Sequence, residues 1–234
     1  MISSFNNILI IGVGLIGSSI ARAIRKNHIC QNIHGLDLDD RVLKKCSELE
    51  ILSSSEKNID DFKEQFDLII ICSPIGSYKK ILSSLNDFVL KSTLITDVGS
   101  TKISVIEDFK ITCSSNNNIH FIPGHPIAGI EKSGPEHGFA ELFENRFCIL
   151  TPIENHDENF NKIKLFWESI GMQVETMKAD HHDRVLAMTS HIPQLIAYSI
   201  VFTANDLEGH LKEEVLKYSA AGFRDFTRLA GSDP

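Results

Sequence analysis

A histidine held between a glycine and a proline, Gly124-His125-Pro126, is the residue of this 234-residue chain best set to move a proton. Its neighbours fix the backbone, and an imidazole projecting from a strand end can stay neutral near pH 7 and accept a proton. A satisfied structural histidine would fit the same residues. Ser100 falls just past another strand end, where it either orients a ligand or serves as a loop or cap serine. His191 precedes Pro193 by two residues in a long helical stretch, which the proline must bend because it lacks an amide and crowds the carbonyl four residues back. Arg224 and Arg228 are four apart, so on a helix they share a face. They form either a dock for a dianionic ligand, each charge-assisted contact contributing on the order of 1.5–3 kcal/mol, or a solvated basic face partly neutralised by Asp225. A metal site is not expected. At about 3.6 residues per turn His182 and His191 fall on opposite helix faces, and no other ligand pair has the i, i+4 spacing.

A second chemistry lies near the N-terminus. Ile8-Leu9-Ile10-Ile11 runs into Gly12-Val13-Gly14-Leu15-Ile16-Gly17, the spacing of a strand, a tight turn and a helix that receives a diphosphate. Gly12 allows the turn, Gly14 lets backbone approach phosphate, and Gly17 lets helix and strand pack closely. Leu15 and Ile16 open the helix whose unpaired amides and positive dipole end face the anion. Twenty residues past Gly17, Asp37 ends a second apolar run. There it either accepts the ribose hydroxyls of an adenosine, which favours NAD over NADP, or caps the next helix, for which Asp39 and Asp40 are better placed.

These residues need a frame to hold them. The sequence predicts helices over 18–27, 41–49, 75–85, 103–109 and 158–170, and strands over 33–36, 66–72, 93–96, 119–122, 147–151 and 172–176. Ser73-Pro74 closes the second of these strands, 66–72, where cofactors lie on doubly wound sheets. Alternation of strands and helices at this length implies an α/β fold, a doubly wound, mostly parallel sheet with helices on both faces. From 179 to 206 the chain reads as helix throughout, broken only by Pro193, and 207–221 continues in that manner. The expected division is a dinucleotide-binding domain over 1–176 and an all-helical substrate and dimerisation domain over 177–234.

Composition narrows the function. With 42% hydrophobic and 23% charged residues the chain is that of an ordinary soluble globular protein. Its net charge of −8 argues against sequence-independent binding to nucleic acid or anionic membranes, so an anionic ligand needs a local cluster of donors. Five scattered cysteines, without a C-x-x-C pair, read as reduced, mostly buried side chains of a cytoplasmic protein. No stretch is expected to reach the roughly 20 apolar residues that span a bilayer.

Five motifs, taken together, carry a resemblance. They are Gly12 to Gly17, Asp97 to Lys102, His125-Pro126-Ile127-Ala128-Gly129 with Glu131-Lys132-Ser133-Gly134, Ser190-His191-Ile192-Pro193, and Gly222-Phe223-Arg224-Asp225-Phe226-Thr227-Arg228. Their order resembles that in the prephenate and arogenate dehydrogenases of tyrosine synthesis, along essentially the whole chain. The run from Gly138 to Phe143 and on to Leu150-Thr151-Pro152 looks most like the bacterial cyclohexadienyl dehydrogenases, which tend to accept both substrates. The resemblance implies that the ring carbon bearing the hydroxyl gives a hydride to NAD while the ring carboxylate leaves as carbon dioxide. It makes His125 the base at the hydroxyl, Ser100 the residue orienting both partners, and Arg228 the grip on a substrate carboxylate. His191, Arg224 and Glu131 would line the pocket and its entrance, with Ser73, Pro74, Asp37 and the glycine turn on the cofactor. Gln194 stands where the family often has histidine, and Ala221 where it often has glycine. The chain stops at Gly231-Ser232-Asp233-Pro234, inside a motif that relatives continue into helices completing a dimer, so a homodimer is expected with those helices present. A β-hydroxyacid-type dehydrogenase, which typically uses a lysine from its helical domain, and an inactive NAD-binding regulatory paralogue are the competing readings.

Overall fold

The computed structural model describes residues 5–153, 158–207, 211, 214, 215, 217, 218 and 221–231. They separate into two units, one running to Gly129 and from Ser133 to Asp183, the other comprising Ile130–Lys132 and the residues from Arg184 on.

The larger unit is built on β1 (Asn7–Ile11). Its unbroken apolar run lets it be buried on both faces. Ile8 and Ile10 enter one core with Ile20, Ile24 and Trp167. Leu9 and Ile11 enter the other with Ile69, Ile71, Tyr78 and Leu82, the alternation a strand imposes. Helix α1 (Leu15–Lys26) follows, then β2 (Asn32–Leu36), α2 (Asp40–Glu48), β3 (Ser54–Glu56), β4 (Leu68–Ile71), α3 (Tyr78–Phe88), β5 (Thr93–Asp97), α4 (Ile103–Thr112) and β6 (Ile119–Phe121). The six strands are parallel, in the order β3-β2-β1-β4-β5-β6. The strand order reverses between β1 and β4, which is where doubly wound sheets bind ligands.

A second sheet of β7 (Gly124–Pro126), β8 (Phe147–Leu150) and β9 (Gln173–Thr176) stands apart, with α5 (Glu158–Ser169) between its last two strands in sequence. β7 is antiparallel to β8, and His125 lies opposite Ile149. His125 is therefore in the middle of a short strand of its own, not projecting from a strand end as expected, and the strands near 147 and 172 do not extend the main sheet. Alternation in sequence cannot say which sheet a strand joins. β3 was missed because Ser-Ser-Glu carries no apolar pattern, and its pairing to β2 supplies the order instead. The helix expected at 75–85 begins as a single 3₁₀ turn, Ile75–Ser77, ahead of α3.

Helix α6 (Ala179–Leu186) begins in the larger unit. In the smaller unit, α7 (Ile192–Asn205) packs on α8 (Ala221–Ala230). Pro193 does not break a helix here. It sits in the first turn of α7, where its missing amide costs least, and a π-turn over Ala187–His191 takes up the irregularity. The run Ala179–Asn205 is long and apolar enough by length and composition to cross a membrane, with 11% of that window buried. This corrects the expectation that no stretch reaches that length. The reading for 207–221 lies largely outside the described residues.

Candidate functional site

The glycine turn closes one end of a cavity of about 620 Å³ lined by Gly12, Gly14, Asp37, Ser73 and Pro74 with Leu36, Leu38, Ile59 and Ile81. Gly12 has φ +90°, and a Cβ there would stand 2.8 Å from the Cys72 carbonyl. A Cβ on Gly17 would stand within contact of the Gly12 oxygen that no side chain survives. Gly14 differs, because nothing lies within 4 Å of where its Cβ would be. Gly12 and Gly17 thus build the turn, while Gly14 leaves open space beside the N-terminus of α1. That helix has no side-chain cap and no acidic residue in its first turn, so its amides suit an anion. Leu15, Ile16 and Gly17 lie outside the cavity lining.

Asp37 ends β2 with its carboxylate fixed by two amides, Val13 N–H at 2.9 Å and Asp39 N–H at 3.0 Å. It thereby braces the glycine turn while facing the cavity. The capping role belongs to Asp39, whose side chain accepts from Arg41 N–H. Ser73 donates its hydroxyl to the Ile11 carbonyl at 3.1 Å, tying the end of β4 to β1.

The loop after β5 is organised by a buried ion pair. Lys102 and Asp97 are both fully buried, with Nζ 2.5 Å from Oδ2. The ammonium also donates to the Gly124 carbonyl at 2.6 Å, and the Asp97 carboxylate accepts from Gly99 N–H and Gly124 N–H. Burial pulls the Lys102 pKa below its ordinary value against the opposing attraction of Asp97. Ser100 is half-buried in the bend between this pair and α4.

Next to Gly124, His125 Nδ1 lies 2.9 Å from His182 Nε2, and His182 Nδ1 lies 2.7 Å from Asp183 Oδ1. The Asp183 carboxylate also accepts from Lys102 N–H at 2.8 Å and Ile103 N–H at 3.0 Å, capping α4 from about 80 residues away. Burial works to raise the Asp183 pKa. Hydrogen bonds from Ile103, His182 and Lys102 outweigh it and hold the group below the usual carboxylate value.

In the smaller unit, Arg228 Nη1 lies 3.4 Å from Glu131 Oε1, and both side chains are more than half exposed. Arg224 is exposed on the same helix. His191 ends the π-turn, its Nε2 buried and without a hydrogen-bond partner among the described residues. The described residues hold no group of three metal-binding side chains.

Residues 20–176 match the profile of the prephenate dehydrogenase nucleotide-binding domain, and residues 178–234 that of the prephenate dehydrogenase dimerization domain. The chain belongs to the prephenate dehydrogenase family. It is 37% identical over 232 residues to the cyclohexadienyl dehydrogenase of Zymomonas mobilis, covering 98% of this chain and 78% of that protein. It is 34% identical to the prephenate dehydrogenase of Bacillus subtilis, again over 98% of this chain but 62% of the relative. A crystal structure of the Aquifex aeolicus prephenate dehydrogenase, in complex with hydroxyphenyl propionate and NAD+, superposes with a TM-score of 0.88 at 33% identity. That match covers 99% of this chain and 80% of the other.

Three residues of this prephenate dehydrogenase family member escaped the reading of its sequence. Lys102 was visible only as the end of a motif, because nothing in the spacing Asp97 to Lys102 says that the two side chains meet. His182 and Asp183 lie more than 50 residues from His125 in sequence; His182 was weighed only as a metal ligand and Asp183 not at all. An adjacent His-Asp pair within the predicted helix was the one signal available.

Proposed function

We propose that the chain is an NAD-dependent dehydrogenase that oxidatively decarboxylates prephenate, with arogenate as its second substrate, to 4-hydroxyphenylpyruvate or tyrosine in tyrosine biosynthesis. The observation that carries the reading is the pairing, within one unit, of an open glycine turn beside Asp37 with a strand-held histidine backed by His182 and Asp183. Gly12, Gly14, Leu15, Ile16 and Gly17 seat the diphosphate, Asp37 accepts the ribose hydroxyls and repels a 2′-phosphate, and Ser73 and Pro74 border the site. When bound, NAD accepts the hydride from the ring carbon that bears the hydroxyl. His125 takes the hydroxyl proton and Ser100 orients the hydroxyl. Arg228, held by Glu131, grips a carboxylate, and Arg224 and His191 line the substrate pocket. Loss of carbon dioxide makes the ring aromatic, so these residues serve chiefly to orient and to accept a proton.

The division into a dinucleotide domain, 1–176, and a helical domain, 177–234, carries over as part of this reading, and so does a homodimer formed through the helical part. Support for the dimer comes from α7, where Ile192, Leu195, Ile196 and Phe202 are exposed apolar side chains, and from the dimerization-domain match. A cytoplasmic location fits the five free cysteines. The test is nicotinamide reduction with prephenate and with arogenate, each with NAD and NADP. NADH formation with prephenate is expected. Protein that binds NAD but reduces none with either substrate would remove the substrate assignment, and equal use of NADP would remove the role of Asp37.

A further inference from the structure

We propose that His182 and Asp183 are positioning residues that fix the tautomer of His125, so that its Nε2 is the proton-accepting nitrogen. The argument begins at the carboxylate. Asp183 accepts hydrogen bonds from two backbone amides, Lys102 and Ile103, at the N-terminus of α4, a setting that favours the ionised form. An ionised carboxylate can only accept. His182 Nδ1, 2.7 Å away, therefore carries a proton. In neutral His182 the other ring nitrogen, Nε2, is then an acceptor. His125 Nδ1, 2.9 Å from it, must donate, which leaves the lone pair of neutral His125 on Nε2. The rings meet edge-on, with centroids 5.1 Å apart and planes at 66°.

The order of proton positions is thus set by a helix N-terminus, through Asp183 and His182, at a strand that Lys102 also anchors through the Gly124 carbonyl. His182 is fully buried, so water does not readily replace it. If His182 were protonated, its Nε2 would donate, His125 Nδ1 would have to accept, and the proton of His125 would move to Nε2, where it blocks the base. Among the described residues, the charged and titratable groups near the pair include Asp183 on His182, the Lys102–Asp97 ion pair that holds the neighbouring Gly124, and the Cys148 thiol on β8 beside the His125 backbone.

The inference rests on the proposed function only for what His125 acts on. The tautomer itself is read without substrate, by nitrogen NMR of histidine-labelled full chain at neutral pH. His125 protonated on Nδ1 is expected, and protonation on Nε2 would overturn the proposal. Kinetics supply the second reading. His182→Phe, which cannot accept from His125, should lower kcat about 10²- to 10⁴-fold, the range general-base catalysis supplies. The Michaelis constant for NAD should stay unchanged, and the acid limb of the pH profile should move to lower pH as the support of the Asp183 charge is lost. His182→Gln, whose carbonyl can accept from Nδ1 while its amide donates to Asp183, should restore most of kcat and return the limb. A His182→Phe protein with unaltered kcat and profile would overturn the proposal. So would equal losses in both variants with an unmoved profile, which would make His182 a packing residue. A dehydrogenase inactive on prephenate with His125 in the expected tautomer would sink the substrate and leave this inference standing.

Discussion

Lys102 Nζ lies 2.5 Å from Asp97 Oδ2, and neither side chain reaches solvent. The pair holds together Gly99, Gly124 and the start of β7, so it supports both the Ser100 bend and the His125 strand. Removing one partner of such a pair leaves a buried charge uncompensated. Lys102→Met is expected to destabilise the protein by about 3–5 kcal/mol in denaturant unfolding. A loss under 1 kcal/mol would show that the pair is replaceable by packing. Asp97→Leu combined with Lys102→Met should not restore the native value, because the Gly99 and Gly124 amides stay unpaired.

The glycines of the turn separate folding from binding. Gly12→Ala puts a side chain at φ +90°, against the Cys72 backbone, and should lower the melting temperature markedly. Gly14→Ala meets no atom within 4 Å, so the melting temperature should hold while the NAD dissociation constant rises about tenfold or more through the methyl group in the phosphate space. Unchanged NAD affinity in folded Gly14→Ala, by calorimetry, would place the diphosphate elsewhere.

The difference between what sequence and structure revealed follows from the range of each signal. Ile8 to Gly17 is local, since strand, turn and helix are all stated within ten residues, and the turn with Gly12 and Gly14 on the cavity was legible. Leu38, Ile59 and Ile81, which also line the cavity, were not, and Leu15, Ile16 and Gly17 lie outside the lining. Asp37 needed a count of residues and no more. The His125–His182–Asp183 chain and the Lys102–Gly124 contact join segments separated by dozens of residues, and only tertiary packing creates them. Pro193 shows the opposite case. Its chemistry was read correctly, but the π-turn before it moved the irregularity to Ala187–His191.

Acidification probes Asp183. Its pKa is held below the usual value in the folded protein, so the stability it contributes is fully present above the unfolded value of about 3.9 and is lost as pH falls through the lower folded value. Unfolding free energies of the unaltered chain and Asp183→Asn should therefore differ by a constant amount above about pH 5 and converge at lower pH. A difference that grows on acidification would mean that the carboxyl is protonated in the native state, contrary to its two amide donors.

Arg228 is the test of the smaller unit. Its pair with Glu131 is long, at 3.4 Å, and solvent-exposed on both sides, so it adds little to folding and is better understood as an orienting contact. Arg228→Ala should leave unfolding free energy within about 0.5 kcal/mol of the unaltered chain. It should raise the Michaelis constant for prephenate by about tenfold or more, with the value for NAD unmoved, because a charge-assisted grip on one carboxylate is worth at least 1.5 kcal/mol. Glu131→Gln removes the orienting charge but not the grip, so its effect on the same constant should be smaller and in the same direction. Equal effects of Arg228→Ala on substrate and cofactor would take the arginine out of substrate docking and make Arg224, one turn earlier on α8, the residue to test next.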